Sequence, residues 1–307
     1  MRIGEEPFSY EWIEHWAAIP DTPSGRANGR THGVAVAADG SVLVFHQADP
    51  AVLRFDPDGR LMAAWGDRFP GAHGMTLARC DGDEHLWLTD EHTGEVVRTT
   101  LDGRTVQTLD RPDLPAYRDG RYSPTWVAVA GEGFGGDVWV ADGYGMNYVH
   151  RYDRDGRYLG SLDGTEGEAG AFDCPHGLWI DARRGTPELC IADRGNRRIQ
   201  VYDLDGRFVR AWGDDVFRLP CGGAVQGDVL YVPELCARLA VLDAEDRLVC
   251  YLGRNEAACD VPGWPDHAPE RILPGRFNSP HAMAVAPDGS LFVVEWIVGG
   301  RITKLAR

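Results

Sequence analysis

The chain has 307 residues and carries 31 Lys and Arg against 47 Asp and Glu, a formal net charge of −16. That balance argues against a function built on a phosphate backbone or an anionic membrane surface. No stretch approaches the roughly 18 apolar residues of a membrane span, Met1–Tyr10 lacks the apolar segment of a secretory signal, and seven cysteines without a CxxC pair read as reduced thiols of a cytoplasmic protein.

The first segment, Tyr10–Ile19, fits a short helix or a strand equally well by period, and Pro20–Asn28 reads as a loop. A repeat then begins. Gly33–Ala38 and Ser41–His46 are strands joined at Asp39-Gly40; Val52–Phe55 and Arg60–Trp65 are strands joined at Asp58-Gly59. The same frame returns through Gly74–Leu109, Trp126–Leu162, Leu178–Trp212 and Gly222–Leu252, with Asp246 in a degraded turn. A last unit holds only Ala282–Ala286, Leu291–Glu295 and Arg301–Leu305. Six units of four antiparallel strands predict an all-β, six-bladed β-propeller in one domain over residues 1–307. The expected blades are 29–66, 70–110, 122–163, 172–213, 217–253 and 277–307. The last lacks its fourth strand, so residues 10–19 are expected to supply it and close the ring, which decides that segment as a strand. Two insertions, 111–122 and 255–276, exceed ordinary turns and are candidate lids.

In such a fold, the entry to each blade's first strand and the end of its second strand face the same side. The entries carry His32, His73, Trp126, His176, Cys221 and His281; the second strands end at His46-Gln47, Asp90-Glu91, Asp142-Gly143-Tyr144, Asp193-Arg194, Glu234 and Glu295. His73, His176 and His281 stand two blades apart, at intervals of 103 and 105 residues. Three imidazoles on alternate blades make a three-nitrogen site for a divalent transition metal with positions left open. The competing reading makes each His a turn residue bonding between blades. His32 breaks the alternation and could fill a repeat position or contact substrate.

The run Pro175-His176-Gly177-Leu178, then Leu189–Arg194, Asn196 and Arg198-Ile199-Gln200, resembles NHL-repeat propellers. More specifically, the chain from Gly33 to Leu305 resembles the catalytic domain of peptidyl-α-hydroxyglycine α-amidating lyase. The resemblance implies zinc held by three histidines on alternate blades, and cleavage of a carbinolamide C–N bond to an amide and glyoxylate. It also implies a catalytic tyrosine at Tyr144, in Asp142-Gly143-Tyr144, and an arginine beside the metal at Arg194, in Ala192-Asp193-Arg194. Three departures matter. Gln47 stands where the family has an arginine, Ala282 where it has the aspartate of a structural calcium site, and Cys190 lacks its disulfide partner. Calcium is therefore not expected, and the substrate is expected to differ.

The expected function is a metal-dependent, lyase-like enzyme that cleaves or rearranges a small hydroxylated or carbonyl-bearing metabolite. His73, His176 and His281 are the expected ligands. Zinc is the first choice of metal, with iron, manganese, nickel or copper as alternatives. Tyr144 and Arg194 are the catalytic candidates. His32, His46, Gln47, Glu91, Trp126, Glu234 and Glu295 are candidate substrate contacts. The alternatives are a hydrolase or lactonase, an isomerase, or a non-catalytic NHL interaction module. A small-molecule substrate is expected, with neither nucleic acid nor membrane as partner.

Overall fold

The computed structural model describes residues 1–307. Six antiparallel sheets make up a six-bladed β-propeller. The chain divides into two compact units of three blades each: residues 1–69 with 223–307, and residues 70–222.

In the first unit, the sheet Thr31–Val36, Val42–His46, Val52–Phe55 and Leu61–Trp65 shows how the pattern works. Val42–His46 is buried throughout, whereas Leu61–Trp65 is mostly exposed. A strand covered on both faces needs an unbroken apolar run, and an outer strand does not. The Asp-Gly turns follow from backbone sterics. Gly59 sits at φ +84°, a region closed to most side chains, and the Asp56 carboxylate accepts from the amides of Asp58 and Arg60. In the degraded turn Asp246 takes that conformation itself, at φ +63°, as aspartate can.

The last blade closes as the sequence predicts. Tyr10–Ile13 pairs antiparallel with Arg301–Ala306, with Glu11 opposite Ala306 and Trp12 opposite Leu305. Trp12 packs on Phe277 with ring centroids 4.8 Å apart, and the Tyr10 and Tyr231 hydroxyls meet at 2.9 Å in the same core. The strand ends earlier than the expected residue 19. Arg2–Ile3 adds a fifth strand outside it, which the sequence reading lacked. Within the expected loop 20–28, Pro23–Ala27 forms one short helix, because the Thr22 hydroxyl accepts from the Gly25 amide and proline opens the first turn.

The second unit contains the blades with first strands Ala72–Cys80, Trp126–Val129 and Pro175–Asp181. Its cores are built around Trp87, Val140 and Tyr152, and around Trp139, Ile191 and Tyr202. The insertion 111–122 is part of that packing: Tyr117 is buried, with its ring 5.5 Å from that of Tyr122. No helix in the chain is long and apolar enough to cross a membrane. All seven cysteines are free.

Candidate functional site

The histidine-bearing strands share a local defect. Pairing jumps by one residue between Ala72 and Met75 and between Pro175 and Leu178 in the second unit, and between Thr31 and Gly33 and between Pro280 and Ala282 in the first. The first strand of the blade that opens at Trp126 pairs without a jump. Such a bulge re-aims a side chain out of strict alternation. The histidine is the residue it re-aims.

In the second unit His73 and His176 are fully buried, with ring centroids 4.9 Å apart. His73 Nδ1 lies 2.8 Å from the Thr125 carbonyl and His176 Nδ1 lies 2.7 Å from the Cys221 carbonyl. The glycines that follow explain how these carbonyls come so close. A Cβ on Gly74 would stand 2.4 Å from the Thr125 oxygen, and one on Gly177 would stand 2.0 Å from the Cys221 oxygen. A carbonyl only accepts, so each Nδ1 carries the proton and each Nε2 presents a lone pair. That is the tautomer a metal ligand needs, fixed by its outer partner. The bond between blades is real, and it leaves Nε2 as the atom that could coordinate a metal.

Tyr144 completes the cluster. Its hydroxyl is 3.3 Å from His73 Nε2 and 3.2 Å from His176 Nε2. Arg194 Nη2 donates to that hydroxyl at 3.1 Å and to Cys174 Sγ at 3.2 Å, and its guanidinium lies 5.2 Å over the Tyr144 ring. Burial pushes the Tyr144 phenol up to about 12, against the pull of the neighbouring guanidinium. Burial works against the Arg194 charge, but the facing Tyr144 and Cys174 hold its pKa above the ordinary value. Arg194 Nη1 is buried and has no hydrogen-bond partner, so one donor of a fixed cation remains available. Trp126 is half-buried, with its ring 6.4 Å from that of His176. Glu91 meets His92 and Arg121, each at 3.2 Å.

The first unit holds the other two histidines. His281 Nδ1 is 2.8 Å from the His32 carbonyl, repeating the pattern of His73 and His176. His32 differs: its Nδ1 faces the Arg30 carbonyl, two residues back, at 3.2 Å. The two rings are 4.6 Å apart. His46 Nε2 lies 2.6 Å from the Pro50 carbonyl, and burial lowers its pKa. Gln47 is buried and accepts from Asn28 Nδ2 at 2.9 Å. Glu234 and Glu295 are fully buried. Glu234 accepts from Arg238 at 2.5 Å. Glu295 accepts from Arg301 at 2.8 Å and from the amides of Asn278 and Ser279. These two carboxylates therefore clamp their own blade.

Cys174 beside Arg194 escaped the sequence reading as a site residue. Its backbone sits at φ +57°, which nothing in the sequence signals. Tyr117 and His150 also escaped it: the first lies in an insertion and bonds Asp142 of the Tyr144 turn, and the second, at an inward strand position, bonds the Tyr117 hydroxyl.

No protein-family model matches the chain. NHL repeat-containing protein 3 from Mus musculus is 32% identical over 235 residues, covering 70% of this chain and 65% of that protein. Peptidyl-alpha-hydroxyglycine alpha-amidating lyase 1 from Drosophila melanogaster is 26% identical over 285 residues, covering 83% of this chain and 48% of that protein. The chain thus matches less than two thirds of the length of these relatives. Among solved structures, a streptogramin B lyase superposes with a TM-score of 0.61 at 14% identity, covering 96% of this chain and 97% of that one. A virginiamycin B lyase from Staphylococcus aureus gives a TM-score of 0.60 at 12% identity, covering 97% of this chain and 99% of that one. The likeness to those structures carries the fold alone. The chain is a six-bladed β-propeller whose homologues are NHL repeat-containing protein 3 and the peptidyl-α-hydroxyglycine α-amidating lyases.

Proposed function

We propose that the chain is a metal-dependent enzyme of lyase type, acting on a small hydroxylated or carbonyl-bearing metabolite. The observation that carries the reading is the Tyr144 hydroxyl, set against Nε2 of both His73 and His176 and held by Arg194. A purely structural tyrosine has no need of a half-buried cation with a spare donor beside it.

His73, His176 and His281 are proposed to hold the ion, because these three share the same Nδ1 anchor on a neighbouring carbonyl. The donor set fits: neutral imidazoles offering Nε2 suit zinc first, and iron, manganese, nickel or copper also. In the first unit the His32 ring lies 4.6 Å from that of His281, so His32 is the competing third ligand. When bound, such an ion supplies Lewis-acid polarisation of a substrate oxygen. Tyr144 is placed to take the proton of a substrate hydroxyl. Arg194 offers Nη1 to a substrate carboxylate or a developing oxyanion. Burial of His73 and His176, beside half-buried Tyr144, shields that charge from bulk water.

The lyase assignment draws on relatives named as amidating lyases. The cytoplasmic compartment, drawn from free cysteines, and the small-molecule substrate belong to this proposal too. A carbinolamide probe of the N-acyl-α-hydroxyglycine type tests the reading. Breaking its C–N bond gives a primary amide and glyoxylate, read as glyoxylate release by zinc-loaded protein. The reading expects turnover that falls at least ~10²-fold in Tyr144→Phe. Turnover of neither this probe nor other 2-hydroxy amides, with zinc bound, would favour the interaction-module reading instead. The relatives named only for their NHL repeats support that alternative.

A further inference from the structure

Five of the six second strands end at or just before a carboxylate, which is satisfied differently from blade to blade. Asp193 takes Arg198 at 2.8 Å, Glu234 takes Arg238 and Glu295 takes Arg301. Asp90 takes main-chain amides, those of Gly71, His92 and Thr93. Asp142 is the exception. It is fully buried, and its side-chain donor is a neutral hydroxyl from an insertion, Tyr117 at 2.7 Å.

Asp142 also builds the turn that carries Tyr144. Its carboxylate accepts from the Ser123 amide at 2.6 Å and the Met146 amide at 2.7 Å. Its carbonyl accepts from the Gly145 and Asn147 amides. A Cβ on Gly145 would stand 2.0 Å from the carboxylate, so the turn is wrapped directly on that group. Behind Tyr117 stands His150, fully buried, with Nε2 at 2.7 Å from the Tyr117 hydroxyl and Nδ1 at 2.7 Å from Ser161 Oγ. The directions are fixed by chemistry. Asp142 can only accept, so it takes the Tyr117 proton; His150 Nε2 must then donate to the Tyr117 oxygen, and Nδ1 accepts from Ser161. Ser161 Oγ is itself 2.6 Å from the Tyr158 hydroxyl.

We infer that Tyr117 and His150 are positioning residues for Tyr144, acting through Asp142, and that the insertion 111–122 is a strut of the site. The inference rests on the role proposed above for Tyr144. A hydrogen-bonded chain whose members have one compatible direction holds its end groups more narrowly than a single bond does. What it holds here is the turn whose next residue but one touches both His73 and His176.

The test is fluorine NMR of the full chain labelled with 3-fluorotyrosine, with and without zinc. The chain has 10 tyrosines, and the Tyr144 line is assigned by its loss in Tyr144→Phe. Tyr117→Phe keeps the ring and removes only the hydroxyl. We expect the Tyr144 line to split or broaden in Tyr117→Phe and in His150→Phe, with circular dichroism unchanged. In zinc-loaded protein we expect kcat on the carbinolamide probe to fall about tenfold at constant KM, as the loss of one positioning hydrogen bond implies. A Tyr144 line unchanged in both variants would overturn the inference. The NMR reading needs no turnover, so wild-type protein inert on the probe and on other 2-hydroxy amides would sink the functional reading and leave this one to be decided by the line.

Discussion

His150 gives the sharpest quantitative expectation. It is fully buried, and burial pushes its pKa down from 6.5 to about 3. The unfolded chain takes up a proton below pH 6.5 that folded His150 refuses. Its contribution to stability is therefore complete above pH 6.5 and is lost progressively as pH falls toward 3. At about 1.36 kcal/mol per pH unit, the loss between pH 6.5 and 5 is about 2 kcal/mol. That window lies above the carboxylate range, so the depressed Glu14, Asp39 and Asp163 add little there. His46 acts in the same direction and is common to both proteins compared below. The assay is urea unfolding followed by tryptophan fluorescence at pH 7, 6 and 5, on wild type and His150→Gln, which keeps a donor for Tyr117. The variant should lose about 2 kcal/mol less than wild type across the window, whatever its stability at pH 7. Parallel pH dependences would refute the argument that His150 is buried neutral.

The remaining expectations follow from the scaffold and the site entries. Trp12→Ala removes a ring packed on Phe277 from the closing strand, and should cost about 3–5 kcal/mol in denaturant unfolding, with the last blade showing the earliest amide exchange. Arg238→Ala takes the guanidinium from fully buried Glu234 and should cost about 3 kcal/mol; Glu234→Gln in the same chain should recover part of it. Gly177→Ala forces a Cβ against the Cys221 carbonyl, so it should weaken metal binding more than it lowers thermal stability, read by zinc titration beside a melt.

The blades were legible because their signals are local. Alternating apolar runs and Asp-Gly turns at fixed offsets mark strands without reference to the rest of the chain, and the missing fourth strand marks where residues 10–13 must go. The strand stops at Ile13 for a tertiary reason. Glu14 turns off to meet Arg301, which no period in the segment encodes. The repeated His position was legible; its bulge was not, since a bulge appears only against the partner strand. Glu295 looked like a substrate contact because a carboxylate at a strand end reads the same whether it faces a cleft or its own amides. Tyr117 and His150 were invisible for a related reason: they are far apart in the sequence, and it is the Tyr117 hydroxyl, from an insertion, that links Asp142 to His150 in space.

The central claim is that histidines at the blade entries hold one transition metal. Elemental analysis of untagged protein, purified without added metal and again after zinc reconstitution, tests it on wild type and on His32→Ala, His73→Ala, His176→Ala and His281→Ala. The account predicts about one equivalent in wild type and in His32→Ala, lost in the other three variants. No metal in wild type under either condition would contradict it, and loss in His32→Ala with retention in His176→Ala would replace the ligand set.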